Sequence, residues 1–307
     1  MIRFGYACLN LTMGRQGGFR HMIKRTWERE GISWASRLAV ENTENLCKII
    51  EWNNRNGIGL YRMTSDLLPW ASEYEIDTLP DWRTIRANLE MAGKIAKRGG
   101  QRLTFHPGQF NCLTSPREKV VLNCIRDLRI HGEIMDAMGL PQTREAKINI
   151  HMGGSFGDKA SAIDRWCQNY ELLPQSVKAR ITLENDDKGA LFNVEDLLVV
   201  HQRLGVPIVF DVHHFEVARN NGDMKYEEAF ELSLLTWPNG IRPVFHLSNS
   251  AKNTEGKAVA PSAHSDYIHS PMNHLNADID VVIEAKAKEL AVFDYIKKFG
   301  NNQQLAA

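Results

Sequence analysis

Six short apolar runs in this chain end in a histidine or a carboxylate, and that recurrence limits the available folds more than any other feature. Leu103–Thr104–Phe105 ends in His106, Ile148–Asn149–Ile150 in His151, and Ile181–Thr182–Leu183 in Glu184. Ile208–Val209–Phe210 ends in Asp211, Val244–Phe245 in His246, and Val281–Val282–Ile283 in Glu284. The first run is followed by Pro107–Gly108, which cannot extend a strand ladder and lets the backbone turn. Gln109 and Phe110 are thereby presented beyond the strand end.

Residues 2–8 and 58–63 supply two further strands. Helical spacing fills most intervals: 41–56, 81–97, 115–138, 160–173, 194–204, 226–236 and 289–299. Asp81 is placed to cap the second of these helices. Ser115, Pro116 and Glu118 form a capping-box start for the third. Segments 11–40 and 251–267 read as long polar loops, a length usually reserved for function. Strands alternating with helices predict a parallel sheet covered on both faces, and eight strands close a barrel. A doubly wound open sheet is the competing arrangement, but only its strands near the switch point would reach a site. Ligand-type residues end strands all along this chain. The expectation is therefore an α/β fold, a (β/α)8 TIM barrel forming one domain over residues 1–300. Its metal site lies at the carboxyl-end face, and 301–307 form a tail.

Composition narrows the function classes. The 307 residues carry zero formal net charge, against a protein that coats nucleic acid through overall charge. Five scattered cysteines without a Cys-x-x-Cys pair argue against a disulfide framework or zinc knuckle. No apolar run approaches the ~20 residues of a membrane span, and no leader pattern opens the chain. A cytoplasmic, monomeric protein is expected.

Mixed imidazole and carboxylate donors suit divalent zinc, manganese or iron. His106, His151, Glu184, Asp211, His246 and Glu284 exceed the needs of one structural ion, and carboxylates bridge neighbouring ions. His214, three residues after Asp211, and His264 add donors for a further one. Clustered ions suit phosphodiester cleavage, because they activate water and stabilise the leaving oxygen.

These elements resemble the UV damage endonuclease family. The likeness is carried by Tyr6 and Asn10 in Gly-Tyr-Ala-Cys-Leu-Asn, His106-Pro-Gly-Gln-Phe110, His151-Met-Gly-Gly and Leu183-Glu-Asn-Asp186. Asp211-Val-His-His214, Phe245-His-Leu-Ser248, His264-Ser-Asp-Tyr-Ile268 and Ile283-Glu-Ala-Lys286 continue it in order to about residue 299. The resemblance implies a metal-dependent TIM barrel that nicks duplex DNA immediately 5′ to UV photoproducts (cyclobutane dimers and 6-4 photoproducts), with abasic sites as a further substrate. Two or three divalent ions are implied, Mn2+ first, with Zn2+, Mg2+ or Co2+ as alternatives. One would take His106, His151 and Glu184. Glu184 would bridge to a second held by Asp211, His246 and Glu284. His214 and His264 would hold a third, with Asp266 nearby. Glu184, Asp211 and Glu284 are the implied catalytic carboxylates.

For DNA, the resemblance implies that Gln109 and Phe110 wedge into the duplex while Tyr6 and Asn10 line the pocket for the displaced dinucleotide. Loop cations Arg15, Arg20, Lys24, Arg25, Lys252 and Lys257 would meet phosphates, each contact adding a salt-dependence slope of about −0.9. Two positions depart from the family pattern. Glu73 follows Leu68-Pro-Trp-Ala-Ser72 where many members carry histidine, and Val244 stands where many carry a carboxylated, metal-associated lysine. A sugar isomerase or epimerase on the same barrel, or a lesion-binding protein with weakened catalysis, are the alternatives.

Overall fold

The computed structural model describes residues 2–108, 110–218 and 222–300. The first half of the chain runs β1 (Arg3–Ala7), α1 (Lys24–Arg55), β2 (Leu60–Met63), α2 (Trp82–Arg98), β3 (Arg102–Phe105), α3 (Glu118–Ala137), β4 (Ile148–His151) and α4 (Lys159–Tyr170). It continues with α5 (Gln175–Lys178), β5 (Ile181–Glu184), α6 (Val194–Leu204), β6 (Ile208–Val209), α7 (Val212–Ala218), α8 (Tyr226–Leu235), β7 (Val244–Leu247), α9 (Ala251–Glu255), β8 (Asp280–Ile283) and α10 (Glu289–Phe299). The strands pair in parallel in the order β6-β5-β4-β3-β2-β1-β8-β7. One parallel bridge, Asp211 to His246, joins the two ends, with the His246 amide donating to the Phe210 carbonyl at 3.0 Å. The result is a nearly closed (β/α)8 TIM barrel.

Period-two alternation sorts the side chains. Phe4 and Tyr6 of β1 face outward under the helices, Phe4 against Tyr295 of α10 at 4.9 Å between ring centroids. Ala7, Leu60, Val209, Val244 and Val282 form a separate apolar cluster inside the barrel. Below it, toward the amino ends of the strands, Asp280 is buried and accepts from Arg3 (2.7 Å) and Arg102 (3.0 Å). Arg102 also donates to the carbonyls of Arg144, Glu145 and Arg242, so this buried charge is fully hydrogen-bonded.

Four local expectations are corrected. Helix α1 begins at Lys24, so most of the 11–40 segment is not loop. Its buried face includes Ser36, Asn42, Thr43 and Asn45, polar residues that conceal the helical period. The helix kinks at Gly31, whose φ of 62° and ψ of −156° only glycine adopts readily. Asp81 stands at the N-cap position of α2, but its side chain makes no capping bond; its carboxylate accepts from the Ser36 hydroxyl at 2.8 Å and ties α2 to α1. Ser115 accepts from the Arg117 amide at 3.1 Å in a local turn, and α3 starts at Glu118 without a box. Segment 251–267 contains α9. The five cysteines are unpaired, and no described helix is long and apolar enough to cross a membrane.

Candidate metal centre

Parallel strands direct all their carboxyl ends to one face of the barrel, so the six run-ending residues meet there. His106, His151 and Glu184 form one group of possible ligands, and Glu184, Asp211, His246 and Glu284 form another. Within each group the donor atoms lie within 4.8 Å of one another. Glu184 is the shared member. Its Oε2 lies 2.9 Å from His106 Nε2 and 3.1 Å from His246 Nδ1, and its Oε1 lies 3.8 Å from His151 Nε2. His246 Nδ1 is 3.0 Å from Glu284 Oε1 and 3.8 Å from Asp211 Oδ2.

Residues outside these groups fix the carboxylates. Asn149, two residues before His151 and therefore on the same face of β4, donates its side-chain amide to Glu184 Oε2. The Thr182 hydroxyl in turn donates to Asn149 Oδ1 at 2.8 Å. Arg62, near the end of β2, forms an ion pair with Glu284. Asn185 bridges two strand ends: it donates to the Asp211 carbonyl at 3.0 Å and accepts from the Asp211 amide at 2.8 Å. Asp211 Oδ1 accepts from the His214 amide at 2.7 Å. Sequence reasoning passed over Asn149, Thr182 and Arg62. An offset of two from a ligand on the same strand is a readable signal for Asn149 and Thr182, whereas Arg62 lies on β2, which carries no ligand and so offers no such signal.

The electrostatics favour ionised carboxylates. Burial works to raise the Glu184 carboxyl, but the imidazoles of His246, His106 and His151 outweigh it and hold the group well below the usual carboxylate range. Glu284 is likewise depressed, with Arg62 and His246 overcoming burial. Burial pushes His106 down to about 4 despite Glu184. Burial also opposes charge on His151, yet Glu184 and Asp186 carry it up to about 9. The cage is thus a negative site that draws in protons where no stronger cation competes.

The donor set fits divalent ions. Nε2 of the fully buried His246 and Asp211 Oδ2 have no hydrogen-bond partner, while His246 Nδ1 and Glu184 Oε1 meet only residues in or bordering the cage, at distances of 3.0 to 3.8 Å. Orphaned donors and acceptors at this density call for a ligand. Three imidazoles and three carboxylates match the chemistry of a borderline cation pair sharing one carboxylate.

The remaining sequence-selected residues divide. His214 Nδ1 lies 3.2 Å from Glu184 Oε1, and His264 Nε2 lies 3.8 Å from Glu284 Oε2, so both border the cage. Among the described residues neither belongs to a ligand group. Asp266 is engaged by Lys257 at 2.7 Å. Glu73 is exposed, and Val244 lies in the barrel's interior apolar cluster. Tyr6 and Asn10 do not line an open pocket. Alternation turns Tyr6 outward, where its hydroxyl donates to Asn53 of α1 at 2.7 Å and accepts from Asn10 at 2.9 Å, with both residues buried. Asn10 also accepts from the Met13 amide, which shapes the first loop.

On the rim, Phe110 is 86% exposed, while Gln109 lies outside the described residues. Phe110 borders a 660 Å³ groove that also takes in His21, Asp66, Trp70 and Asn111. A larger cavity of 820 Å³, around Arg102 and Glu145, opens at the amino ends of the strands and includes none of the cage residues. Arg20, Arg25 and Lys252 are exposed on loops or helix starts at the carboxyl-end face. Arg15 pairs with Glu41 at 3.3 Å and Lys24 with Glu28 at 3.7 Å, both at the surface. Lys257 is held by Glu255 and Asp266 and tightens its own loop, so its first role is structural.

A TIM barrel whose strand ends gather histidines and carboxylates into two ligand groups with one shared carboxylate defines a class of candidate metalloenzymes. Within that class, the family model "UV-endonuclease UvdE" matches residues 2–306, and the chain belongs to this family. It is 37% identical over 308 residues to the UV-damage endonuclease of Schizosaccharomyces pombe (strain 972 / ATCC 24843), covering 97% of this chain and 50% of that protein. The chain thus spans about half the length of that relative. The UV DNA damage endonuclease of Bacillus velezensis (strain DSM 23117 / BGSC 10A6 / LMG 26770 / FZB42) is 34% identical over 267 residues, 84% of this chain and 80% of that one. The crystal structure of SacUVDE superposes with a TM-score of 0.85 at 28% identity, covering 99% of this chain and 100% of that chain.

Proposed function

We propose that this chain is a divalent-metal-dependent endonuclease of DNA repair that nicks duplex DNA immediately 5′ to UV photoproducts. The observation that carries the reading is the shared carboxylate Glu184, flanked by two donor groups directly below a rim bearing the exposed Phe110. His106, His151 and Glu184 would hold one ion, and Glu184, Asp211, His246 and Glu284 a second; manganese is proposed on the family likeness, since the mixed donor set also suits zinc or iron. Such ions supply an activated water and charge neutralisation at the scissile phosphate.

The chain's own residues do the rest. Asn149 and Arg62 fix the carboxylates that face the phosphate. His214 and His264 stand at the edge of the cage, where they would hold a further ion. Gln109 and Phe110 would enter the stack at the lesion. Opening a step costs a few kcal/mol, and less where a crosslinked dimer already weakens stacking, so damage is selected by its lower cost. Arg20, Arg25 and Lys252 would contact phosphates on either side.

The test is a labelled duplex holding one cyclobutane dimer, incubated with purified protein and Mn2+. The expected product is a single nick on the 5′ side of the dimer, lost in Glu184→Gln with the thermal midpoint retained. Binding without cleavage by the natural protein would make it a lesion reader. Inertness toward DNA with turnover of a ketose would make it a sugar epimerase.

A further inference from the structure

The loop after β4 carries a second aromatic ring that neither the barrel core nor the metal cage uses. Phe156 lies five residues beyond His151, is 49% exposed and has a φ of +52°. A bulky side chain seldom occupies this left-handed region, and doing so costs of order 1 kcal/mol or more. Burial does not repay that cost, because half of the ring faces water.

The surroundings nevertheless hold it in place. Gly153, at φ +103°, packs so closely that a Cβ there would lie 2.6 Å from Cys112 Sγ and 3.0 Å from Thr114 Oγ1. A Cβ on Gly154 would meet the Phe156 ring at 3.1 Å, so the ring lies directly over bare backbone. The Arg165 guanidinium carbon sits 5.7 Å from the ring centroid, and Arg165 Nε donates to the Thr114 carbonyl at 2.7 Å. The Asn169 side chain donates to the Leu113 carbonyl at 2.8 Å. Loop 153–157 is therefore fastened to segment 112–114, which follows Phe110. Two exposed aromatics are carried on two adjoining, mutually fixed loops, above the strands that deliver His106 and His151.

We propose that Phe156 is a stacking platform for a DNA base, with Arg165 behind it holding the ring and adding positive charge. A ring held by Arg165 and by the Gly154 backbone, on a residue that stays 49% exposed, loses little entropy when a base stacks on it, and every base offers a π-face. The inference rests on the endonuclease reading, since only a nucleic acid substrate supplies such a partner at this rim.

Binding of a fluorescent photoproduct duplex is measured by anisotropy with EDTA present, for the natural protein, Phe156→Ala, Phe156→Trp and Phe156→Gly. Nicking of the same duplex by the natural protein with Mn2+ runs in parallel. Phe156→Ala should weaken binding by about 5- to 150-fold, the range for one base stack, while Phe156→Trp keeps it. Phe156→Gly should lose affinity equally, because it removes the same ring. Natural affinity in Phe156→Ala, alongside normal nicking by the natural protein, overturns this inference alone. Failure of the natural protein both to bind and to nick removes the endonuclease reading and this inference together.

Discussion

Asn149 donates its side-chain amide to Glu184, the one carboxylate common to both donor groups, and is itself oriented by the hydroxyl of Thr182. A carboxylate bordered by four imidazoles needs a fixed plane if its two oxygens are to serve two ions. Asn149 provides that plane from an adjacent strand without being a ligand.

Replacing Asn149 by valine removes this constraint and places a β-branched residue, which strands favour, in β4. Outer hydrogen bonds to metal ligands are typically worth 10- to 100-fold in affinity. Mn2+ affinity measured by calorimetry should fall by about that factor, with the circular dichroism spectrum unchanged. An unaltered Mn2+ isotherm would show that Asn149 does not orient Glu184.

Arg62 and Glu284 form a largely, not fully, buried ion pair at the edge of the same cage. Arg62→Met leaves Glu284 without its cation, a loss expected to cost about 3–5 kcal/mol in metal-free protein. A divalent ion beside Glu284 supplies the missing positive charge. The destabilisation read by urea denaturation should therefore shrink markedly when Mn2+ is added. Equal losses with and without the ion would place the pair's contribution in packing alone.

Lys147 is fully buried at the foot of β4, and its ammonium nitrogen has no hydrogen-bond partner. Burial lowers this lysine to about 7, although Glu184 pulls the other way. The unfolded chain keeps the proton up to about 10.4, so between these two values unfolding takes up a proton and stability rises with pH. Below about 7 the charged amine carries its full burial penalty. Lys147→Met should be more stable than the natural protein at pH 6 by at least about 1 kcal/mol. That difference should narrow from pH 7 to pH 10, as followed by denaturation at each pH. A constant difference would mean that Lys147 does not titrate in this range.

The strand ends were legible because each apolar run stops at a polar donor, and eight parallel strands leave one face for all of them. Asn149, Thr182, Arg62 and Lys147 obey the same alternation, each lying on its strand's inner face. They escaped notice because a polar residue between isoleucines reads as a flaw in a strand rather than as the lining of a barrel. The start of α1 was hidden for a related reason: Ser36, Asn42 and Asn45 are buried through hydrogen bonds, so hydrophobic period alone could not outline the helix. Tyr6 was misplaced by reading its motif and not its parity. Odd-numbered neighbours in β1 face the barrel axis, and Tyr6 turns toward α1 instead. Phe156 left no sequence signal except its flanking glycines.

The seam between β6 and β7 is held by a single bridge, and the two residues that close it, Asp211 and His246, both belong to one ligand group. Loading a cation there would rivet the cylinder's wall where only that bridge joins it, so that architecture and chemistry share the same fastening.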